Sequence, residues 1–280
     1  MYVTIDKDAV RKSGMMMASD SIPDRMAISL KGKRTLYKGE LMMLEMIANA
    51  NWTRPIYVAN SVGPSNYMNL GENFIQEGLA SRITPFSTYY TNDKGDLVPI
   101  KGVKNFDTEK VYDNVMHRFK WGGMEKPGLY VDETIMRMCI SHRRLMAQLA
   151  LSLIQEGDTA RAMEVLDKCA EVLPVENVPM DYISGGNDLA RAYMQLGDNA
   201  KAEEIASTVW DRSRQYLDYY LTLDGSKFYG CILECQRHFL FMQTICETVR
   251  NADPEKAEKR LDELDVLYTR YIQKGGHPLY

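Results

Sequence analysis

Cys231, Cys235 and His238 stand at i, i+4 and i+7 of a segment with helical periodicity, which puts two thiols and an imidazole on one helix face. A structural zinc site would need a fourth ligand from another element, and no paired-cysteine spacing occurs elsewhere in the chain. The same face continues through Phe239, Met242 and Cys246, so the expectation is a packed apolar stripe with no metal and no cofactor. Glu40 and Glu45 sit in a nearly continuous apolar run, where burial would raise their pKa values toward those of a general acid or base. A solvated helix face would leave both as ordinary carboxylates. His117, His142, His238 and His277 are scattered, and the chain has no glycine-rich phosphate loop, no His-Glu-x-x-His and no Gly-x-Ser-x-Gly. No catalytic residue is assigned. Cys139, Cys169, Cys231, Cys235 and Cys246, an odd number on helical patterns, read as buried free thiols rather than a disulfide framework.

The elements that would carry these side chains change character along the 280 residues, a length that favours about two domains. Up to about residue 105 the pattern is mixed. Met26–Leu30 and Pro55–Ala59 read as strands, and Lys38–Asn49 reads as a well-buried helix. Ile83–Tyr90 and Leu97–Ile100 flank the turn Asn92-Asp93-Lys94-Gly95, a hairpin signature. From 106 to 280 the period is helical. Asp107 is a natural cap, Val111, Val115 and Phe119 form one stripe, and a longer stripe from Ile135 to Leu153 halts at Gly157. The fold expected is α+β: a small α/β domain over 1–105, then an all-α array over 106–280.

Within that array Glu156-Gly157-Asp158-Thr159-Ala160-Arg161-Ala162 recurs as Leu196-Gly197-Asp198-Asn199-Ala200-Lys201-Ala202. This resembles the tetratricopeptide repeat. Ala150, Leu153, Gly157, Ala162 and Pro174 fill the motif positions of the first copy, and Ala190, Tyr193, Gly197 and Ala202 those of the second, which lacks the final proline. Glycine makes the interhelical turn, and alanines let the two backbones approach. A third, weaker copy starts at Asp253-Pro254 without the turn glycine, and Val175–Met180 enlarges the connection between the first two. Tyr216, Tyr219 and Tyr220 form an aromatic group that reads as packing or as an anchor.

A second resemblance spans most of the chain. The run from Lys38 to Val58, containing Asn51, Trp52, Arg54, Pro55 and Tyr57, together with Glu77–Ile83, Asp113-Asn114, Phe119–Gly123 and Asn177-Val178-Pro179, resembles the extracytoplasmic carboxy-terminal region of a Gram-negative family of multispanning membrane proteins. That family's membrane part is similar to protein O-mannosyltransferases. The resemblance implies a non-catalytic periplasmic module whose partner is an acceptor protein or the parent's own membrane domain. The residues of the run also have local roles: Pro55 starts a strand, Trp52 covers a helix end, and Arg54 is placed to bridge to a carboxylate.

Charge and hydropathy exclude other classes. The formal charge of -4 comes from interspersed groups, with no basic stripe for nucleic acid. Leu41–Ala50 is too short to span a bilayer, and Asp6, Lys7, Asp8, Arg11 and Lys12 break any apolar leader. The alternative is a free-standing cytoplasmic adaptor that binds a peptide or protein. Asp20-Ser21-Ile22 and Asp158-Thr159-Ala160 resemble the acceptor triplet of bacterial O-glycosylation, although Asp158 also reads as a helix cap.

Overall fold

In the computed structural model, which describes residues 1–14 and 22–279, the mixed and helical stretches of sequence sort into two units, Met1–Asn114 and Val115–Tyr280. The triplet at Asp20-Ser21 lies outside the described residues. The strands are short and antiparallel, and the architecture is α+β. Strand β1 (Tyr2–Thr4) is followed by helix α1 (Lys7–Lys12), whose cap Asp6 accepts from the amides of Asp8 and Ala9. Strand β2 (Arg25–Ala27) pairs with β1, with buried Val3 opposite buried Met26. Ile28 still exchanges two backbone hydrogen bonds with Met1, at 2.9 and 3.0 Å, but the strand expected to reach Leu30 is assigned only as far as Ala27.

Helix α2 occupies Lys38–Asn49 as the periodicity predicts. Its burial differs from expectation: Leu44 and Ile47 are buried, whereas Leu41, Met42 and Met46 are each more than half exposed. The small core accepts one stripe of the helix, and the other apolar residues stay in water. Strands β3 (Tyr57–Ala59), β4 (Phe74–Gln76) and β5 (Ala80–Ile83) form an antiparallel sheet in the order β3-β5-β4. Pro85 breaks the run expected from Ile83 to Tyr90; Ile83 closes β5, and Tyr89 opens β6 (Tyr89–Thr91), which pairs with β7 (Leu97–Pro99). The turn between them is held by Asn92, whose Oδ1 accepts from the amides of Lys94 and Asp96.

Helix α3 (Thr108–Asp113), assigned by its period to the second domain, belongs with the first unit. Phe106 bridges to Gln76, Lys110 pairs with Glu77, and the Asn114 side chain donates to the Glu77 carbonyl. The stripe through Val111, Val115 and Phe119 is not one α-helix, because Asn114–Arg118 widens into a π-helical turn.

The second unit is built from α4 (Glu133–Gln155), α5 (Thr159–Val172), α6 (Gly186–Gln195), α7 (Asn199–Tyr220), α8 (Gly225–Gly230), α9 (Ile232–Val249) and α10 (Pro254–Gln273). Helices α4/α5, α6/α7 and α9/α10 pack as successive pairs, and α4, α6 and α9 also pack in a row. Asp158, Asp198 and Asp253 cap α5, α7 and α10 in one manner, each carboxylate accepting from the amide three residues on at 3.0–3.1 Å. No helix among the described residues is long and apolar enough to cross a membrane.

Candidate protein-docking site

The helical members of the repeat motif are buried on the paired helices α4/α5 and α6/α7. Ala150, Leu153, Ala162, Ala190 and Ala202 have no exposed surface, and Tyr193 is buried. Gly157 and Gly197 both have φ of +84°, and the two turns repeat bond for bond: Asp158 N donates to Leu153 O at 2.9 Å, and Asp198 N to Tyr193 O at 3.0 Å. Pro174 opens the enlarged connection, its carbonyl accepting from Val178 N at 2.9 Å.

That connection is anchored by Arg143. Its guanidinium is buried and donates to the carbonyls of Leu173, Val178 and Pro179 at 2.7, 2.6 and 3.2 Å. Burial pulls its pKa down, with no carboxylate bonded to it. Asn177 donates to the carbonyls of Met124 and Lys126 and accepts from Leu129 N. The run Asn177-Val178-Pro179 is therefore a backbone brace, and Phe119 and Trp121 pack edge-on against His142.

The brace turns the chain away from α7. A capping box at Asp181 and Ser184 closes a 3-10 turn over Tyr182–Ser184, and Gly185 at φ +85° starts α6 afresh. A Cβ on Gly185 would come within 3.2 Å of the Arg144 side chain, and one on Gly186 within 2.5 Å of Val209. Helix α6 therefore meets α7 at Val209 and extends no further along it. It has 10 residues against 22 in α7, so Trp210–Tyr220, about 16 Å of helix at 1.5 Å per residue, has no α6 turn beside it.

Aromatic side chains occupy this slot. The His238 ring lies 4.6 Å from Tyr182 and 5.1 Å from Tyr216, and Tyr220 follows at 6.0 Å from Tyr216. Tyr182 donates its hydroxyl to Glu234; burial, then that carboxylate, push its pKa up to about 12. Beside this file Arg212, Gln215, Tyr216 and Tyr219 line a recess of about 340 Å³. Tyr216 and Tyr219 are 39% and 59% exposed, enough for both rings to reach a ligand.

Among the described residues of the second unit, four buried side-chain polar atoms, Asn187 Oδ1, Arg212 Nε, Ser213 Oγ and His238 Nδ1, lack a hydrogen-bond partner, and of their residues only Arg212 lines the recess. Burial pushes the His238 pKa down to about 4, so the imidazole is neutral near pH 7. Tyr216, Tyr219 and Tyr220 were visible in the sequence as a group; Tyr182, Asn187, Arg212 and Ser213 were not. The available signal was a glycine pair at 185–186 that starts one helix late, against a partner with no breaker before Gly225.

The remaining sequence candidates take structural places. Cys235 and His238 are buried and Cys231 half-buried, and no group of three His, Cys, Asp or Glu side chains among the described residues is placed to hold a metal. Burial pushes the Cys235 thiol up to about 12. Glu40 pairs with Lys33 and accepts from Tyr37 N, and these bonds hold its pKa below the usual range, opposite to the shift an acid catalyst would need. Glu45 is exposed and bonded to Asn49. Asn51 and Trp52 take φ of +47° and +56°, and buried Trp52 belongs to the same core cluster as Leu44 and Ile47. Arg54 is exposed and forms no ion pair with any described residue, so it is not the expected bridge; Pro55 lies just before β3.

The bridge is made instead by Arg82, opposite Tyr57 on the central strand. Buried Glu77 accepts from the Tyr57 hydroxyl at 2.5 Å and from Lys110 Nζ at 2.9 Å, and its Oε1 lies 2.8 Å from Arg82 Nη2. Arg82 Nη2 and Nε both lack an aligned hydrogen bond, so the Arg82–Glu77 contact is an ion pair held by charge. The Tyr57 phenol is pushed up to about 12 by burial and by Glu77.

No curated protein and no solved structure matches the chain. Residues 1–102 match the family model described as TMEM260-associated domain 2, and residues 144–174, which take in the first repeat copy from α4 through α5, match the tetratricopeptide repeat.

Proposed function

We propose that this chain is the non-catalytic module of a membrane-embedded glycosyltransferase of the protein O-mannosyltransferase type, lying on the periplasmic side and positioning the acceptor protein. The repeat match supports a protein-interaction module, and the observation that carries the reading is the aromatic slot where α7 outruns α6. The run from Asn51 to Tyr57, within the stretch matched to TMEM260-associated domain 2, supports the attachment to a larger membrane protein. The test is sugar transfer by the full-length parent with and without these residues, on a protein acceptor and on a short peptide acceptor. Loss on the protein with retention on the peptide is expected; unchanged transfer to both would sink the reading.

A second reading, a free-standing adaptor, is favoured by the five unpaired thiols, which suit a reducing compartment. Coding sequence ahead of Met1 separates the two: several apolar segments of about 20 residues support the first reading, and a start codon at Met1 behind a ribosome-binding site supports the second.

A further inference from the structure

We infer that the outer edge of β2 takes an added strand, an extended acidic segment of a partner protein that pairs with the backbone of Arg25 and Ala27. The site lies in the first unit and does not rest on the slot of the second, so it goes beyond the interaction reading of the repeats. Backbone pairing sets the conformation of the occupant, and the groove beside the edge sets its charge.

Backbone hydrogen bonds join Met1 to Ile28 and Ile5 to Asp24, and Val3 stands opposite Met26 between them. Bonded pairs alternate with non-bonded pairs in an antiparallel ladder, so the N–H and C=O of Arg25 and of Ala27 point away from β1. No hydrogen bond from a described residue takes up these four groups. One step further the same edge is closed, because Asn69, itself at φ +60°, donates from Nδ2 to the Ser29 carbonyl at 2.7 Å. The outer edge of β4 is covered as well: Gln76 N donates to Asn105 O, and Asp107 N to Gln76 O, both at 2.9 Å. Only a strand presents an N–H and a C=O together at every second residue, the spacing of Arg25 and Ala27; a helix uses those groups internally.

This edge lines a groove of about 1310 Å³ that also takes in the turn Gly71–Asn73 and part of the β6–β7 hairpin. Arg25 and Lys31 line it, are exposed, and form no ion pair with any described residue. Among the described lining residues Glu72 is the one carboxylate, and its Oε1 already accepts from the amide and the hydroxyl of Thr91 at 2.9 and 2.5 Å. Asp24, beside Arg25 in the chain, is held by Lys7 at 2.6 Å. The guanidinium and the ammonium are thus available to carboxylates of an incoming strand. A second copy of β2 would instead bring another Arg25 and Lys31 to the groove, and like charges on facing strands oppose that pairing.

The experiment is selection from a displayed library of random linear peptides on the full chain, with a parallel selection on Arg25→Glu. Peptides enriched on the unaltered chain alone are expected to be rich in Asp or Glu and free of proline. The most enriched peptide is then made in two N-methylated copies, one modified at odd and one at even positions, since only one of the two sets of amides can face β2. Fluorescence anisotropy should show the two copies differing in affinity by at least about tenfold. Arg25→Glu and Lys31→Glu, confirmed as folded by circular dichroism, should each bind the unmodified peptide at least about tenfold more weakly. Ala27→Pro removes an outward N–H and leaves every β1–β2 hydrogen bond in place, and it should abolish binding; if it does not fold, the methylated copies carry the test of pairing. Tyr216→Ala, in the second unit, should bind within about twofold of the unaltered chain. Enriched peptides that are neutral or basic, equal affinity of the two methylated copies, unchanged binding to Arg25→Glu, or enrichment of nothing would each overturn the inference. Binding lost in Tyr216→Ala would move the peptide to the second unit, which removes this assignment and leaves the repeat reading standing.

Discussion

Both units gather tyrosine, arginine and glutamate at one place, with opposite results. Around Glu77 the groups close on one another: Tyr57, Lys110 and Arg82 engage the carboxylate, and Asn114 takes the Glu77 carbonyl. Around His238 they do not, and Arg212, Ser213 and Asn187 are left with buried polar atoms unpaired. A closed cluster ties strands β3 and β5 to helix α3 and serves the fold. Buried polar atoms left unpaired cost folding free energy. Arg82 also keeps Nε and Nη2 without an aligned hydrogen bond, so the contrast lies in the carboxylate: Glu77 engages Tyr57, Arg82 and Lys110, whereas no carboxylate among the described residues pairs with Arg212.

The largest effect expected from that contrast is at Glu77. Glu77→Gln removes the charge opposite buried Arg82 and should cost about 3–5 kcal/mol. Chemical denaturation followed by circular dichroism reads it, and a loss below about 1 kcal/mol would mean the cluster is not what holds the first unit together.

The second effect is at His238 and depends on pH. Its folded pKa, about 4, lies below the ordinary value of 6.5, so as pH falls through that interval the unfolded chain binds the proton first and the folded state loses stability. The stability is fully present above pH 6.5 and is lost toward pH 4. Its size is about 2 kcal/mol once partial solvent screening is allowed for. His238→Phe should flatten the unfolding free energy of the second unit between pH 6.5 and 4; an unchanged slope would place the titrating group elsewhere.

A smaller effect tests whether the two repeat turns are equivalent. At Gly157 and Gly197 an added Cβ meets nothing within 4 Å, so alanine brings only the strain of positive φ, about 1–2 kcal/mol at each. Melting temperatures that differ strongly between Gly157→Ala and Gly197→Ala would break the repeat equivalence.

The smallest effect sharpens the comparison most. Arg212→Gln should change stability by less than about 0.5 kcal/mol, because the guanidinium supports no other described group. If it destabilises the chain as Glu77→Gln does, the slot is structural after all.

The sequence by itself determined what depends on neighbours along the chain. Asp158, Asp198 and Asp253 cap their helices, Gly157 and Gly197 turn, Asn92 closes a hairpin, and α2 spans its expected residues, since each rests on bonds within a few positions. Tertiary structure decided what depends on distant partners. Which face of α2 is buried and that α3 joins the strands are set by distant residues, and Glu77, five positions from Arg82, is fixed as its partner by Tyr57 and Lys110, 20 and 33 positions away. The slot is the clearest case: it exists because Arg143 holds the carbonyls of residues 173–179 and Gly185 starts α6 late, leaving α7 longer than its partner. No local period encodes a mismatch between two helices, since each is regular on its own and only their packing exposes the difference.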